Sequence, residues 1–163
     1  MKPPMQGLVA ILQRRGKFNH EKMKPESFPG GCQLTVWGGA EEKETPARAL
    51  WREIVEEAGW VWATDFRILK NSGKRAVQLE DSLSVSVWGA YFPPESLETL
   101  RLNASTGGIV MVKEDDLEKI RDLKGDFQRD AGVPDLATIA MFNDAKEVLA
   151  KGFFWAKTIT PKS

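Results

Sequence analysis

The order of elements in this chain predicts an α+β domain or a mixed α/β/α layered one. Three observations carry that reading. A helical apolar stripe spans 45–58, an alternating serine-and-apolar run spans 82–92, and short strand-like segments bounded by turn residues lie on either side. Periodicity alone leaves both arrangements open. A length of 163 residues suits a single domain, 1–163, with a real core. There are no internal repeats and no low-complexity linker.

Taken in order, Gly7 to Gln13 reads as a buried first strand. Arg14 to Gly31 is polar, basic at first, ends in Pro29-Gly30-Gly31, and reads as a loop. Gln33 to Trp37 alternates polar and apolar and reads as a short strand. Thr45-Pro46 opens a helix, with a hydroxyl N-cap and proline at the first helical position. Ala47, Leu50, Trp51, Ile54, Val55 and Ala58 form its apolar stripe, and Gly59 stops it. Val61 to Leu69 reads as a strand, followed by a turn at 71–74. Ser82 to Phe92 is the clearest strand, ended by Pro93-Pro94. Ile109 to Val112 is a further strand and Glu114 to Leu123 a short helix. Gly125 to Gly132 is a polar loop carrying Phe127. Pro134 to Lys151 reads as the last helix, with Leu136, Ile139, Ala140, Phe142 and Val148 as core positions. From Thr158 the chain reads as a frayed tail.

Composition excludes some functions. Lys plus Arg and Asp plus Glu each number 23, so the formal net charge is zero. That argues against charge-driven binding to a nucleic-acid polymer or a membrane. The single cysteine, Cys32, has no intramolecular disulfide partner, which suits a reducing cytoplasm. It reads as a small buried hydrophobe. The apolar run Gly7 to Leu12 is too short to span a membrane and lacks a cleavage pattern, so no secretion signal is expected. No C-x-x-C or H-x-x-x-H spacing exists, so zinc is not expected. His20 is the single histidine and reads as a surface loop residue.

The chemistry concentrates in the helix. Glu53, Glu56 and Glu57 share a face distinct from the apolar stripe, with Ala49 one turn before Glu53 leaving room beside it. Like charges at this spacing repel by ~0.2–0.5 kcal/mol per pair. A hard divalent cation would remove that conflict, and oxygen donors suit magnesium or manganese.

The segment from Gly38 to Trp60, GGAEEKETPARALWREIVEEAGW, orders these residues further. Gly38 is followed after five residues by Glu44. Seven residues later come Arg52-Glu53-Ile54, then Glu56-Glu57, then Gly59-Trp60. That order resembles the Nudix box, G-x5-E-x7-R-E-U-x-E-E-x-G-U, with U a bulky apolar residue, and every fixed position is matched. The resemblance implies the Nudix fold, a mixed sheet between α-helices. It implies a metal-dependent hydrolase of a diphosphate linked to another moiety, usually a nucleoside, with Mg²⁺ as cofactor and Mn²⁺ as substitute. Carried over by position, Glu53, Glu56 and Glu57 would be metal ligands. One of them, or an acid elsewhere, would orient or deprotonate the attacking water. Gly38 would offer its carbonyl to the metal, and Gly39 would allow close approach of substrate. Arg52 would hold a glutamate in place, and Glu44 would be a secondary metal or structural carboxylate.

The sequence departs from the commonest family form in two places. Trp37 stands where a proline often precedes the glycines, and Lys43 where a glycine often precedes the first glutamate. Both bear on the substrate pocket, and neither removes a ligand. A nucleoside triphosphate, intact or damaged, is the default substrate; a nucleotide sugar or dinucleotide comes next. One rival is an isomerase of the isopentenyl diphosphate type, which needs cysteine and histidine ligands near the first glycines. Here Cys32 lies further back and His20 is alone. The other rival is a nucleotide sensor without turnover. Such modules usually lose box carboxylates, and none is missing here.

Outside the box, Arg14, Arg15, Lys17, Lys22 and Lys24 make a basic loop. Arg14 and Arg15 are candidates for a phosphate clamp, with an ordinary solvated loop as the alternative. Phe127 is a candidate for stacking on a base, with Gln128 and Asp130 to read its edges; Phe18 and Phe28 are the alternative. A further acid could come from Glu114, Asp115 or Asp116, or from Glu80 or Asp81, although the first three also make a good helix start. Small-molecule diphosphates are thus the expected partners, and the sequence leaves dimerisation open.

Overall fold

The fold is mixed α+β, seen in a computed structural model that describes residues 7–36, 40–73, 75–81, 86–103 and 105–159. Its centre is strand β1 (Ala10–Arg15), flanked antiparallel by β4 (Cys32–Leu34) and β7 (Thr106–Val112) in the order β4-β1-β7. Leu12 pairs with Leu34 on one side and Val110 on the other. Because successive side chains alternate, Leu12 and Ile11 face opposite ways. Leu12 buries with Cys32 and Val112 against Ala145, Leu149 and Phe153 of α4 (Asn143–Ile159). Ile11 packs on a second cluster, built from Ile54 and Ala58 of α1 (Pro46–Ala58) and Trp62 and Phe66 of α2 (Trp60–Ser72).

Smaller pairs complete the domain. Inside the expected 14–31 loop, β2 (Phe18–Asn19) and β3 (Lys24–Pro25) form an antiparallel pair. The pair β5 (Ala76–Asp81) and β6 (Ser86–Ala90) is antiparallel with a shift near Gln78 and Glu80. Short β8 (Arg121–Asp122) runs parallel to β9 (Ala140–Met141), with the single turn α3 (Leu123–Asp126) after β8. Turns of 3-10 helix cover Pro94–Thr99 and Glu114–Lys119. Among the described residues no helix is long and apolar enough to cross a membrane.

The structure moves several sequence expectations. The segment 61–69, expected as a strand, is part of α2. Its buried side chains are Trp62, Ala63 and Phe66, which share a helical face, while β-branched Val61 and Ile68 stay exposed. Trp62 fixes the helix further: its ring stacks on Phe92 at 4.3 Å and its indole N–H donates to the Ser96 carbonyl at 2.8 Å. The last helix begins at Asn143 rather than Pro134. The Asp135 carboxylate accepts from the Ala137 and Thr138 N–H groups, each at 2.9 Å, a local turn that competes with helix. Leu136 is consequently 80% exposed, and Ala140 buries as a strand residue. The helix then runs through Thr158 to Ile159. The strand expected at 82–92 is seen from Ser86, and Ser82 to Val85 lie outside the described residues. Its partner β5 falls on a segment with no strand expectation, although Val77-Gln78-Leu79-Glu80 alternates apolar and polar.

Leu12 is fully buried at the point where both flanking strands meet it. Leu12→Ala removes most of that side chain without a neighbour able to replace it. Urea melts should show a loss of about 2–5 kcal/mol. A loss below ~1 kcal/mol would move the core away from β1.

Candidate metal and phosphate site

Local signals set the frame of the site. The Thr45 hydroxyl accepts from the Arg48 N–H at 3.2 Å and Pro46 occupies the first helical position, so α1 starts where its caps require. At the other end Gly59 has φ +96°, and its N–H reaches the Ile54 and Val55 carbonyls at 3.0 and 3.1 Å. A Cβ there would meet Arg101 Cβ at 3.1 Å. Glycine therefore both ends α1 and lets the chain turn straight into α2.

Arg52 organises the acids. Its Nε and Nη2 donate to the two oxygens of Glu44 at 3.0 and 2.9 Å, a bidentate grip. Its Nη1 donates to Glu53 Oε1 at 2.7 Å and to Glu56 Oε2 at 3.4 Å. Glu44 belongs to a tight turn: its N–H donates to the Glu41 carbonyl at 3.0 Å, and its Oε1 accepts from the Glu41 N–H at 3.1 Å. Within that turn Lys43 takes φ +65°. This left-handed backbone is the physical reason a glycine would suit the position.

The electrostatics follow from these contacts. The Arg52 hydrogen bonds, then the Glu41 backbone, hold the Glu44 carboxyl down at about 2. The Arg52 guanidinium is pushed further up by Glu44 and then Glu53. Burial pushes the Glu53 carboxyl up, against the pull of Arg52 and with help from the charges of Glu56 and Glu21. Glu56 is exposed and Glu57 half-buried.

Could these residues hold a divalent cation? The donors are carboxylate oxygens, the right kind for Mg²⁺. Glu53 and Glu56 converge on one guanidinium nitrogen, so a pair is already gathered. Among the described residues, however, no group of three or more His, Cys, Asp or Glu side chains is placed to hold a metal. Gly38 and Gly39 lie outside the described residues, as does Trp37. The donor set fits in kind, and the protein presents part of it through Arg52.

The expected substrate groups are scattered. Arg14 is buried, and its guanidinium donates to the carbonyls of Gly30 at 2.7 Å, Leu136 at 3.1 Å and Thr138 at 3.3 Å. A buried cation requires such partners, and here they make it a clasp between two loops. Arg15 is tied likewise, donating to the Ser27 carbonyl at 2.9 Å and pairing with Glu26 at 3.5 Å. Phe127 is half-buried with the Arg121 guanidinium 4.8 Å above its ring. Gln128 and Asp130 are exposed. Glu114 pairs with Lys157 at 2.8 Å, and Asp116 accepts from the Lys113 N–H at 2.8 Å, a structural cap. Cys32 is buried, and burial pushes its thiol up despite the nearby Arg14.

Sequence reading missed one feature. A cavity of about 800 Å³ opens beside Glu53, walled by α1, α2, β6 and α4. None of Arg14, Arg15, Phe127, Gln128 or Asp130 lines it. Its lining residues come from segments far apart in sequence, so no local pattern assembles the wall. Compared with protein-family models, with curated proteins and with solved structures, the chain matches none.

Two substitutions test this geometry. Glu44 is depressed from 4.5 to about 2, so its contribution to stability is present at neutral pH and is lost as pH falls through that range. Glu44→Gln should therefore destabilise at pH 7, and the gap to wild type in urea melts should close toward pH 2–3. A constant gap would mean the Arg52 grip does not form in solution. Lys43→Gly should relieve the left-handed strain, offset by greater freedom of the unfolded chain, for a net gain of up to ~1 kcal/mol. Clear destabilisation in thermal melts would contradict the turn.

Proposed function

We propose that this protein is a metal-dependent hydrolase of the Nudix type, cleaving a diphosphate bond, with a nucleoside diphosphate linked to another moiety as the default substrate. One observation carries the reading: Arg52 gathers Glu44, Glu53 and Glu56, separated in sequence, around a single guanidinium. A merely solvated helix face would not need the upstream Glu44 turn. The Nudix α/β/α fold is part of the same proposal. It is supported by the placing of α4 against one face of β1 and of the α1–α2 cluster against the other.

Glu53, Glu56 and Glu57 would hold Mg²⁺ or Mn²⁺, with the Gly38 carbonyl. When bound, the metal supplies a water made acidic enough to attack and offsets charge on the phosphoryl oxygens. The chain's own residues set the geometry. Arg52 keeps the Glu53 carboxylate from rotating freely, and Glu44 holds Arg52. Gly39, by carrying no side chain, would allow phosphate close to the backbone.

Phosphate release should be measured across nucleoside triphosphates, nucleotide sugars, dinucleotides and coenzymes. Turnover should vanish with a chelator and return with Mg²⁺. Glu53→Gln, Glu56→Gln and Glu57→Gln should each lower kcat by ~10²-fold or more with the fold intact by circular dichroism. Near-normal rates in all three, or full activity after metal removal, would defeat the proposal.

A further inference from the structure

The cavity beside Glu53 is of small-molecule size, since such sites typically span about 300–1,000 Å³. Its wall is unusual for a nucleotide site. Among the described residues Glu53 is the one charged side chain lining it, and no cation lines it. Two polar groups on the wall are already spent. The Trp62 indole N–H donates to the Ser96 carbonyl, and the Thr35 hydroxyl donates to the Ile11 carbonyl. Leu34, Leu50, Phe66, Trp88, Val148 and Phe153 supply apolar surface on several sides. Tyr91, Ser96, Trp88 and Trp155 add a few neutral polar groups to the wall and no cation, so a sugar or base would meet mostly apolar surface, and a hydrocarbon would lose nothing it needs. Glu53 is both a wall residue and a candidate metal ligand, so the cavity is continuous with the phosphate end of the site.

We infer that the cavity binds the hydrocarbon part of the substrate, so that the preferred diphosphate carries an alkyl or alkenyl chain in place of a nucleoside. This rests on the hydrolase reading for the phosphate end. The binding step is separable from it. Gly152 lines the cavity from α4, and a Cβ built there meets only Leu79 Cδ1, at an ordinary 3.7 Å. A larger side chain at this position can therefore project into the cavity from a helix that tolerates it.

The test is calorimetric titration of the full chain in a chelator with decyl diphosphate, methyl diphosphate and ADP, followed by turnover with Mg²⁺. Decyl diphosphate should bind at least ~10-fold more tightly than either control, with a negative heat-capacity change from apolar burial. Gly152→Leu should weaken decyl diphosphate at least ~10-fold and leave ADP unaffected; Gly152→Ala should fold like wild type and weaken it less. Equal or tighter binding of ADP, or unchanged decyl diphosphate affinity in a folded Gly152→Leu, overturns the inference. Should Gly152→Leu fail to fold, the comparison of the three ligands on wild type still decides. Mg²⁺-dependent hydrolysis of ADP or another nucleotide in preference to decyl diphosphate overturns the inference and keeps the hydrolase. Selective decyl diphosphate binding with no Mg²⁺-dependent hydrolysis of any diphosphate keeps the cavity assignment and overturns the hydrolase.

Discussion

The guanidinium of Arg52 is the group on which the site depends. Among the described residues, the carboxylates of Glu41, Glu44, Glu53 and Glu56 lie within 4.0 Å of it. Removing it would leave Glu44 and Glu53, both largely shielded from solvent, without the cation that lets them stay charged. The consequences extend beyond charge. The bidentate bond to Glu44 holds the 41–44 turn against the first turns of α1, and that turn forces Lys43 into a left-handed backbone. A single planar donor thus fixes a loop, a helix face and a strained residue at once.

Some of this was written plainly in the sequence. Thr45, Pro46 and Gly59 act locally, through capping and backbone freedom, so their effects need no knowledge of the rest of the chain. Helix 45–58 accordingly appears where those residues put it. Arg52 and the glutamates were legible for a related reason, since one helix and one adjoining turn supply them all. The strand at 109–112 was legible as well, extended by the pairing with β1 back to Thr106.

Other parts depended on distant contacts. Val61 to Leu69 has the composition of a strand, yet it folds as a helix because Trp62 and Phe66 find their partners on one side. Pro134 to Phe142 has a helical apolar spacing, yet the Asp135 turn and the pairing of Ala140 with Arg121 take it out of helix. Arg14 looks like a loop cation from its neighbours. The return of the chain at 136–138 supplies two of the three carbonyls that hold it, and Gly30 the third. The Asp135 turn is local, but the pairing of Ala140 with Arg121, the stack of Trp62 on Phe92 and the Arg14 clasp join residues that no short window of sequence contains.

Glu53 joins the two environments that define the site. On one side it accepts a 2.7 Å charged hydrogen bond from Arg52, which favours its ionised form. On the other it borders the apolar cavity, and burial acts against that form more strongly, since the carboxyl ends up raised. A group held in such opposition responds to any further charge placed near it. A hard cation would favour the carboxylate directly, while an apolar occupant of the cavity would exclude water and increase the carboxylate's dependence on its cationic partners. The two ends of the proposed substrate would therefore act on the same side chain. That shared dependence makes Glu53, more than Glu56 on the exposed face, the residue through which filling the cavity and binding a metal would influence one another.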